Sequence, residues 1–229
     1  MSMPIELATL VAGWLLGEIT PLNYVWSYYR NKEPLMRLLD PFVKKDEDCI
    51  IVLPRLPLQK DQLKSEYPFI KKIGDKEIPL HWTTELTGIH DSIAVSHIHA
   101  LLSLAGKKEV RIKSDEALEE DEWNVNLICI GAWSNRITMA TLERSAPYFK
   151  FGTDDKGGYI SSPKTEKWYY DEINNRNYGI LLKLKDVFQS GKAVIVAAGL
   201  GPDATAGAAY YLSTRWRELS KKYSASPFG

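Results

Sequence analysis

The chain of 229 residues lacks the usual sequence marks of secreted, disulfide-bonded and nucleic-acid-binding proteins. Its two cysteines, Cys49 and Cys129, stand inside apolar runs that predict buried strands, where cysteine behaves as a small hydrophobic residue. The 29 basic and 29 acidic residues balance, so no net field steers the protein towards nucleic acid. Residues 1–6 carry no positive charge and no small-residue cleavage pattern follows them, which argues against a secretory signal. We therefore expect a cytoplasmic protein with buried, unreactive thiols and no nucleic-acid partner.

Motifs for several common chemistries are also absent. His97 and His99 are two residues apart, which on a helix turns them roughly 200° from each other, so they cannot bind one metal ion together. No G-x-S-x-G turn of a serine hydrolase and no GK[ST] of a phosphate-binding P-loop occurs. Gly199, Gly201 and Gly207 only approximate the dinucleotide fingerprint G-x-G-x-x-G, because five residues separate the last two glycines. The sequence therefore predicts neither a metal site nor a bound cofactor.

What the sequence does contain is a strand–loop–helix pattern that occurs twice. In residues 193–212, AVIVAAGLGPDATAGAAYYL, an apolar β-branched run leads through a glycine loop into a helix of small residues. Residues 125–142, VNLICIGAWSNRITMATL, repeat this design. Such a junction places backbone N–H groups and the positive end of a helix dipole where an anion can bind. Two such loops at the carboxyl ends of parallel strands predict an α/β nucleotide-binding crevice.

The candidate ligand-binding residues in the first loop are Gly131, Trp133, Ser134 and Asn135. Ser134 and Asn135 have side chains that either hydrogen-bond a ligand or cap the following helix. Trp133 either offers a stacking face to a base or belongs to the core.

The candidates in the second loop are Gly199, Gly201, Asp203 and Thr205, and Arg55 joins them. Gly199, Gly201 and Thr205 either hold a phosphate or ribose, or form a turn that lets the helix pack close to the sheet. Asp203 either caps the last helix or contacts a ribose hydroxyl. Arg55 lies just past the end of the strand 49–54, where its side chain either faces a ligand or is solvated. The sequence identifies no catalytic residue in these loops.

The rest of the chain predicts an α/β domain around these loops. Residues 49–54 predict a buried parallel strand, 87–106 a crossover helix capped at Asp91 or Ser92 and ended by Gly106, and 109–113 a strand near the sheet edge. Residues 114–122 predict a solvated acidic turn or a short helix.

Three further segments complete the expected domain. Residues 148–184 predict a β-meander ending in a strand at 178–184, and residues from 204 to 223 predict the closing helix. The polar connection 56–84, with a hairpin about residues 74–75, is long enough to cover the crevice as a lid.

Residues 5–29 are the most apolar stretch. The eleven residues 7–17 suit a buried or interfacial helix, while a longer segment reaches spanning length at the cost of placing Glu18 near its middle, roughly 2.5–3.5 kcal/mol. Aromatic residues then precede Arg30 and Lys32, as in a membrane-interface belt with a positive flank. Association with a membrane and packing on the protein body or on an identical subunit are both consistent with this pattern. Residues 1–45 are expected to form a hydrophobic, stalk-like helical extension, and residues 46–229 a Rossmann-like domain.

In residues 49–54, the GAWSN loop at 131–135 and the AGLGPDATAG loop at 198–207, the chain resembles Rossmann-like nucleotide-sensing domains of bacterial defence systems, the TIR, SLOG and CARF groups. The resemblance implies a sensor of nucleotides or NAD-derived molecules, or an enzyme that cleaves NAD, often joined to a membrane or oligomerising segment. No stretch matches the catalytic glutamate context of NAD-cleaving TIR domains.

The sequence thus predicts an α/β, Rossmann-like fold: a mostly parallel sheet with flanking helices, a β-meander insertion and an N-terminal hydrophobic helical extension. The expected function is a nucleotide-binding sensor or effector module, tethered to a membrane or to identical subunits. The alternatives are a hydrolase of NAD or a nucleotide glycosidic bond that uses Asp91 or Asp203, and a scaffold without a small ligand.

Overall fold

The computed structural model describes residues 30, 32–55, 70–73, 76–79, 88–145, 149–163, 165–170 and 176–228. The strands in this part of the chain are β1 (Cys49–Leu53), β2 (Ile70–Ile73), β3 (Lys76–Pro79), β4 (Arg111–Ser114), β5 (Asn126–Ile130), β6 (Lys150–Asp154), β7 (Gly157–Ser162), β8 (Thr165–Tyr169), β9 (Gly179–Lys185) and β10 (Ala193–Gly199). The helices are α1 (Glu33–Leu38), α2 (Ile89–Ala105), α3 (Arg136–Arg144) and α4 (Pro202–Tyr223), with a 3₁₀ turn at Glu120–Asn124.

The main sheet has the strand order β4-β1-β5-β10-β9. The first four strands are parallel, and β9 pairs antiparallel with β10. Strands β5 and β10 are buried along their whole length, which explains why their sequences read as continuous apolar runs. The predicted fold class is confirmed in part: the protein is α/β, broadly Rossmann-like, with a mostly parallel sheet flanked by helices, whereas the predicted N-terminal helical extension is not supported.

Alternate residues of each strand face the two sides of the sheet. Ile51, Ile128 and Ile195 pack on one side in a core cluster with α1, α2 and α4. Val52, Cys129 and Val196 pack on the other side with α3 and the sheet β6-β7-β8. Both cysteines are buried, and burial raises the pKa of the Cys49 thiol to about 12 and also raises that of Cys129.

The order of the strands determines where a ligand site can form. The chain runs from β1 through α2 to β4 and then returns to β5 on the other side of β1. The helix after β5 packs on the face opposite to the helices that follow β1 and β10. In sheets of this kind, ligands bind beyond the carboxyl ends of neighbouring strands whose following helices lie on opposite faces. The loops after β5 and β10 therefore lie at the expected edge.

The predicted β-meander is present, but one of its strands was misplaced. Strands β6, β7 and β8 form a separate antiparallel sheet in that order. The prediction that a strand at 178–184 closes this meander was wrong, because β9 belongs to the main sheet. The connection at 186–192 is short enough to make β9 and β10 a hairpin, paired from Ala193↔Lys185 to Gly199↔Gly179.

The structure describes residues 30 and 32–45 of the expected N-terminal extension. Leu35, Leu38, Leu39 and Phe42 are fully buried in the core cluster that contains α4. These four side chains therefore pack in the same core as the main sheet. The apolar stretch 5–29 lies outside the described residues. In the part of the chain that the structure describes, no helix has the length and hydropathy needed to cross a membrane.

Other local predictions had mixed outcomes. The hairpin about residues 74–75 is confirmed by the pairing of β2 with β3, whereas the rest of the predicted lid lies outside the described residues. Helix α2 ends at Gly106 in the left-handed conformation, as predicted. Its N-cap is Gly88, so the prediction of a cap at Asp91 or Ser92 was wrong. The edge strand appears as β4.

Candidate functional site

The loop after β5, residues 131–135, is closed by the side chain of Asn135. This side chain caps α3 by accepting hydrogen bonds from the backbone N–H groups of Ile137 (3.0 Å) and Thr138 (3.2 Å). Its amide nitrogen donates to the carbonyl oxygens of Val52 (3.1 Å) and Ile130 (2.8 Å), which joins the ends of β1 and β5. Asn135 is fully buried, and these four bonds use its donors and principal acceptor positions. The structure shows the capping role that the sequence offered as one of two interpretations.

Asp115, which directly follows β4, closes the same region. Its carboxylate accepts hydrogen bonds from the backbone N–H groups of Arg55 (3.0 Å) and Arg136 (2.8 Å). Arg136 is the first residue of α3, so Asp115 occupies the position at the helix N-terminus where an external anion would bind. The side chain of Asp115 is buried, although the sequence placed it in a solvated acidic turn. The guanidinium of Arg55 lies 2.5 Å from the carboxylate of Glu116.

The remaining predicted residues of this loop have separate surroundings. Gly131 adopts a positive φ of 93°, and its N–H donates to the carbonyl of Ala197 in β10 (3.0 Å), so the two glycine loops are neighbours. Ser134 is exposed. Trp133 is 41% exposed and makes an edge contact with Phe151, with ring centroids 5.2 Å apart. The small sheet therefore covers one side of the indole.

The loop after β10, residues 199–201, is organised by close backbone packing. A Cβ added to Gly199 would lie 2.7 Å from the backbone nitrogen of Thr205. A Cβ on its register partner Gly179 would lie 2.6 Å from the carbonyl oxygen of Ala204. This pair of glycines lets the first turn of α4 rest directly on the end of the β9–β10 hairpin, the second of the two roles expected for Gly199.

Three residues that the sequence singled out, Gly201, Asp203 and Thr205, lie at the start of the helix that follows this loop. Gly201 is the N-cap of α4, and its carbonyl accepts from the buried Thr205 N–H (3.2 Å). Asp203 lies in the first turn with its carboxylate largely exposed. His90 Nε2 lies 2.8 Å from Asp203 Oδ1, so the N-terminal turns of α2 and α4 are joined by a polar contact.

A cavity of about 590 Å³ opens beside this turn, and we refer to it as the α4 cavity. One wall is the outer edge of β9, at Gly179 and Leu181, and the other is the exposed side of α4, at Gly207 and Tyr211. Asn177 and Asp203 supply polar groups at its rim. Of the predicted ligand residues, Asp203 lines this cavity and Gly201 lies beside it, where a Cβ would come within 2.8 Å of the Asn177 amide nitrogen. The residues of the β5 loop do not line it.

A second polar feature lies next to this site at the start of α2. Burial raises the pKa of the Asp91 carboxyl, although a hydrogen bond from the Gly88 backbone and the neighbouring His90 act in the opposite direction. Asp91 and Asp203 are therefore two carboxyl groups in different surroundings, with His90 adjoining both. Within the described residues, no cluster of three or more histidine, cysteine or acidic side chains is arranged to hold a metal ion.

Comparison of the chain with protein-family models, curated proteins and solved structures finds no match. The candidate site is therefore defined by its own geometry.

Sequence reasoning missed three residues of this geometry. Asn177 and Tyr211 line the α4 cavity, and Asp115 fills the position at the start of α3. The small residues at i, i+3 and i+4 of α4, namely Ala204, Gly207 and Ala208, form a pattern that indicates a shallow helix face and could have identified the cavity wall. No local signal separates Asp115 from the other acidic residues of its segment.

Proposed function

We propose that the protein is a binding module for a small nucleotide-like molecule whose nucleoside part occupies the α4 cavity. The observation that carries this proposal is the cavity itself, about 590 Å³, at the carboxyl edge of a Rossmann-like sheet. Cavities of roughly 300–1,000 Å³ accommodate small-molecule ligands. We also keep the proposal that residues 5–29 tether the module to a membrane or to identical subunits, because this sequence is too apolar to remain in water.

The groups around the cavity favour a nucleoside over a bare phosphate. The carboxylate of Asp203 accepts hydrogen bonds from ribose hydroxyls, and the amide of Asn177 both donates and accepts. Tyr211, about half exposed, offers a ring on which a base stacks. A phosphate at the N-terminus of α4 would meet the negative charge of Asp203, so a nucleotide would bind with its phosphates directed to solvent.

A thermal-shift and calorimetry screen tests this proposal. The panel contains nucleosides, linear and cyclic nucleotides, NAD and ADP-ribose, and at least one member should raise the unfolding temperature and give a measurable Kd. If none of them stabilises the protein, the proposal fails and the scaffold interpretation takes its place.

Two neighbouring tyrosines provide a matched pair for locating the site. Tyr210 and Tyr211 are both exposed on α4, but Tyr211 alone of the two lines the cavity. Tyr211→Ala should weaken binding by about fivefold or more, because about 1–3 kcal/mol of stacking is lost. Tyr210→Ala should leave the Kd within twofold. Equal effects of the two substitutions would place the ligand elsewhere.

The arrangement of Asp91, His90 and Asp203 favours a second candidate, a hydrolase of a nucleotide glycosidic bond. The carboxyl of Asp91, whose pKa is raised by burial, is suited to donate a proton to a leaving group, and the carboxylate of Asp203, which contacts His90, is suited to orient a water or stabilise a positive charge. Incubation with NAD and nucleosides followed by product analysis separates the two functions, since a binding module leaves the ligand intact. Turnover that Asp91→Asn abolishes would favour the hydrolase.

A further inference from the structure

A cavity of about 600 Å³ lies at the amino ends of the parallel strands, at the opposite end of the sheet from the loops described above. It is formed by the segments that precede β1 and β4 and by the C-terminal end of α2, and we call it the amino-edge cavity. Five lysines line it: Lys32, Lys44, Lys45, Lys107 and Lys108. Although the protein has no net charge, five ammonium groups surround this one cavity.

Lys44 pairs with Asp40 (3.1 Å), and the acidic residues of the cavity do not neutralise the other four lysines. Glu47 pairs with Lys192 and Asp48 with Arg111 (3.2 Å), two cations outside the lining, which leaves Glu109. The hydrogen bond from Lys192 lowers the pKa of the Glu47 carboxyl, with a smaller opposing effect of burial. The C-terminal end of α2 adds roughly half a negative charge, much less than the lysines supply.

One of the lysines is fixed in the wall of the cavity. Lys107 is buried, and its ammonium donates to the carbonyl oxygens of Lys44 (3.0 Å) and Glu47 (2.5 Å). An ammonium has three N–H donors, so one remains for a ligand. The exposed lysines Lys32, Lys45 and Lys108 take part in no ion pair within the described part of the chain. A buried cation with exposed cations around it is suited to bind a phosphate-bearing anion.

We propose that the amino-edge cavity binds the phosphate headgroup of an anionic phospholipid and so holds the domain against a membrane surface. The chain itself indicates this source of phosphate: the apolar sequence 5–29 ends in an aromatic-rich run and then reaches Arg30 and Lys32, and Lys32 lines the cavity. Basic residues next to an apolar membrane segment recognise anionic lipids. Stable attachment generally needs two such signals together. This site is independent of the nucleoside site, so either proposal can fail alone.

Vesicle flotation with the full chain tests the proposal. The vesicles are phosphatidylcholine alone, and phosphatidylcholine with about 20% phosphatidylserine. The wild-type protein should bind the anionic vesicles at least tenfold more tightly, and this difference should fall as salt is raised. No preference for the anionic vesicles would overturn the proposal.

A pair of triple variants separates the cavity from general charge. Lys32→Gln, Lys45→Gln and Lys108→Gln together should remove at least tenfold of the anionic-lipid preference while leaving any binding to phosphatidylcholine unchanged. The control carries the same charge change at the exposed lysines 150, 156 and 221, and it should stay within about twofold of wild type. Equal losses in both variants would show that the cavity has no special role.

A soluble competitor distinguishes the source of the phosphate. Inorganic phosphate at millimolar concentration should displace the protein from anionic vesicles only weakly, because the vesicle surface presents many headgroups and engages residues 5–29 as well. Tight binding of inorganic phosphate with no preference among vesicles would assign the cavity to a free anion and contradict the lipid proposal.

Discussion

The loops after β5 and β10 have the same design in sequence, yet the structure uses them in opposite ways. Each follows a fully buried strand, contains glycine and opens into a helix. The β5 loop is filled from within by Asn135 and by the carboxylate of Asp115. The β10 loop has no such side chain within the described residues, and a cavity of about 590 Å³ opens beside the helix that follows it.

The difference arises from what neighbouring segments bring to each loop. At the β5 loop, β4 leads into a buried aspartate that satisfies two backbone N–H groups, which is the task an anionic ligand performs in many nucleotide-binding folds. At the β10 loop, the residues that line the cavity are small: Gly179 and Ala204 pack against each other without a large side chain, and Gly207 has open space where a side chain would project. A glycine loop therefore indicates a site only when its neighbours leave it unfilled.

Removal of Asn135 should give the largest effect on stability. Asn135→Ala takes the cap from α3 and removes the side-chain donor to the buried carbonyl oxygens of Val52 and Ile130. We expect the free energy of unfolding to fall by about 3–5 kcal/mol, measured by denaturant titration. The adjacent and exposed Ser134→Ala should change it by less than about 0.5 kcal/mol. A small effect of Asn135→Ala would mean that the loop is not closed as described.

Asp115 gives the next largest effect on the closed loop. Asp115→Ala removes the acceptor of the Arg55 and Arg136 N–H groups, and we expect a loss of about 2–3 kcal/mol in the free energy of unfolding. The neighbouring Glu116→Ala removes an exposed ion pair with Arg55 and should cost less than about 1 kcal/mol. If Asp115→Ala were instead stabilised by millimolar phosphate or sulfate, the vacated position would be shown to bind an external anion.

The strand that walls the α4 cavity should make stability depend on pH. Lys183 of β9 is fully buried and donates to the carbonyl of Leu38 (2.6 Å), and burial, with a smaller contribution from Lys185, lowers its pKa to about 8, although Asp40 opposes this shift. The unfolded chain keeps its proton up to about the ordinary value of 10.5, so between pH 8 and 10.5 the unfolded state binds more protons. Stability from this residue should therefore rise with pH in that window, by at most about 1.4 kcal/mol per unit.

The comparison that isolates this effect uses Lys183→Met and the exposed Lys185→Gln. Unfolding titrations at several pH values between 8 and 10.5 should show a flatter profile for Lys183→Met than for wild type. Lys185→Gln should preserve most of the wild-type slope, because it removes only the smaller of the two causes. Parallel profiles for wild type and Lys183→Met would exclude Lys183 as the source.

Periodicity and turn chemistry predicted much of the fold. Apolar runs located β1, β5 and β10, the glycine stop located the end of α2, and the two-residue turn located the β2–β3 hairpin. The sequence did not predict which strand β9 pairs with, because an apolar strand fits the edge of either sheet. The short connection from β9 to β10 decides the pairing. The core position of Leu35 and Leu38 was also not predicted, because the sequence of an amphipathic helix does not show which surface the helix packs against.

The site was less accessible to prediction because it depends on contacts between distant segments. Asn135 was recognised as a cap or a ligand group, and only its donors to Val52, 83 residues away, show that it is fully used. Asp115 lies 60 residues from Arg55 and 21 residues from Arg136, and Asn177 approaches Gly201 from the segment before β9, so neighbouring sequence carries no trace of these contacts. Asp203 was found because its position in the first turn of a helix is a local property.

The smallest expected change in stability bears most directly on whether the open loop is a site. Gly207 lies within α4 and lines the cavity, and a Cβ added there meets nothing within 4 Å. Gly207→Ala should therefore raise the free energy of unfolding by about 0.5–1 kcal/mol, because alanine favours the helix. Gly207→Leu should retain most of this gain while its side chain fills the cavity. If the cavity binds a ligand, calorimetry should show at least a tenfold weaker Kd for Gly207→Leu and a much smaller change for Gly207→Ala; unchanged binding in both variants would leave the β10 loop as a packing device like its counterpart after β5.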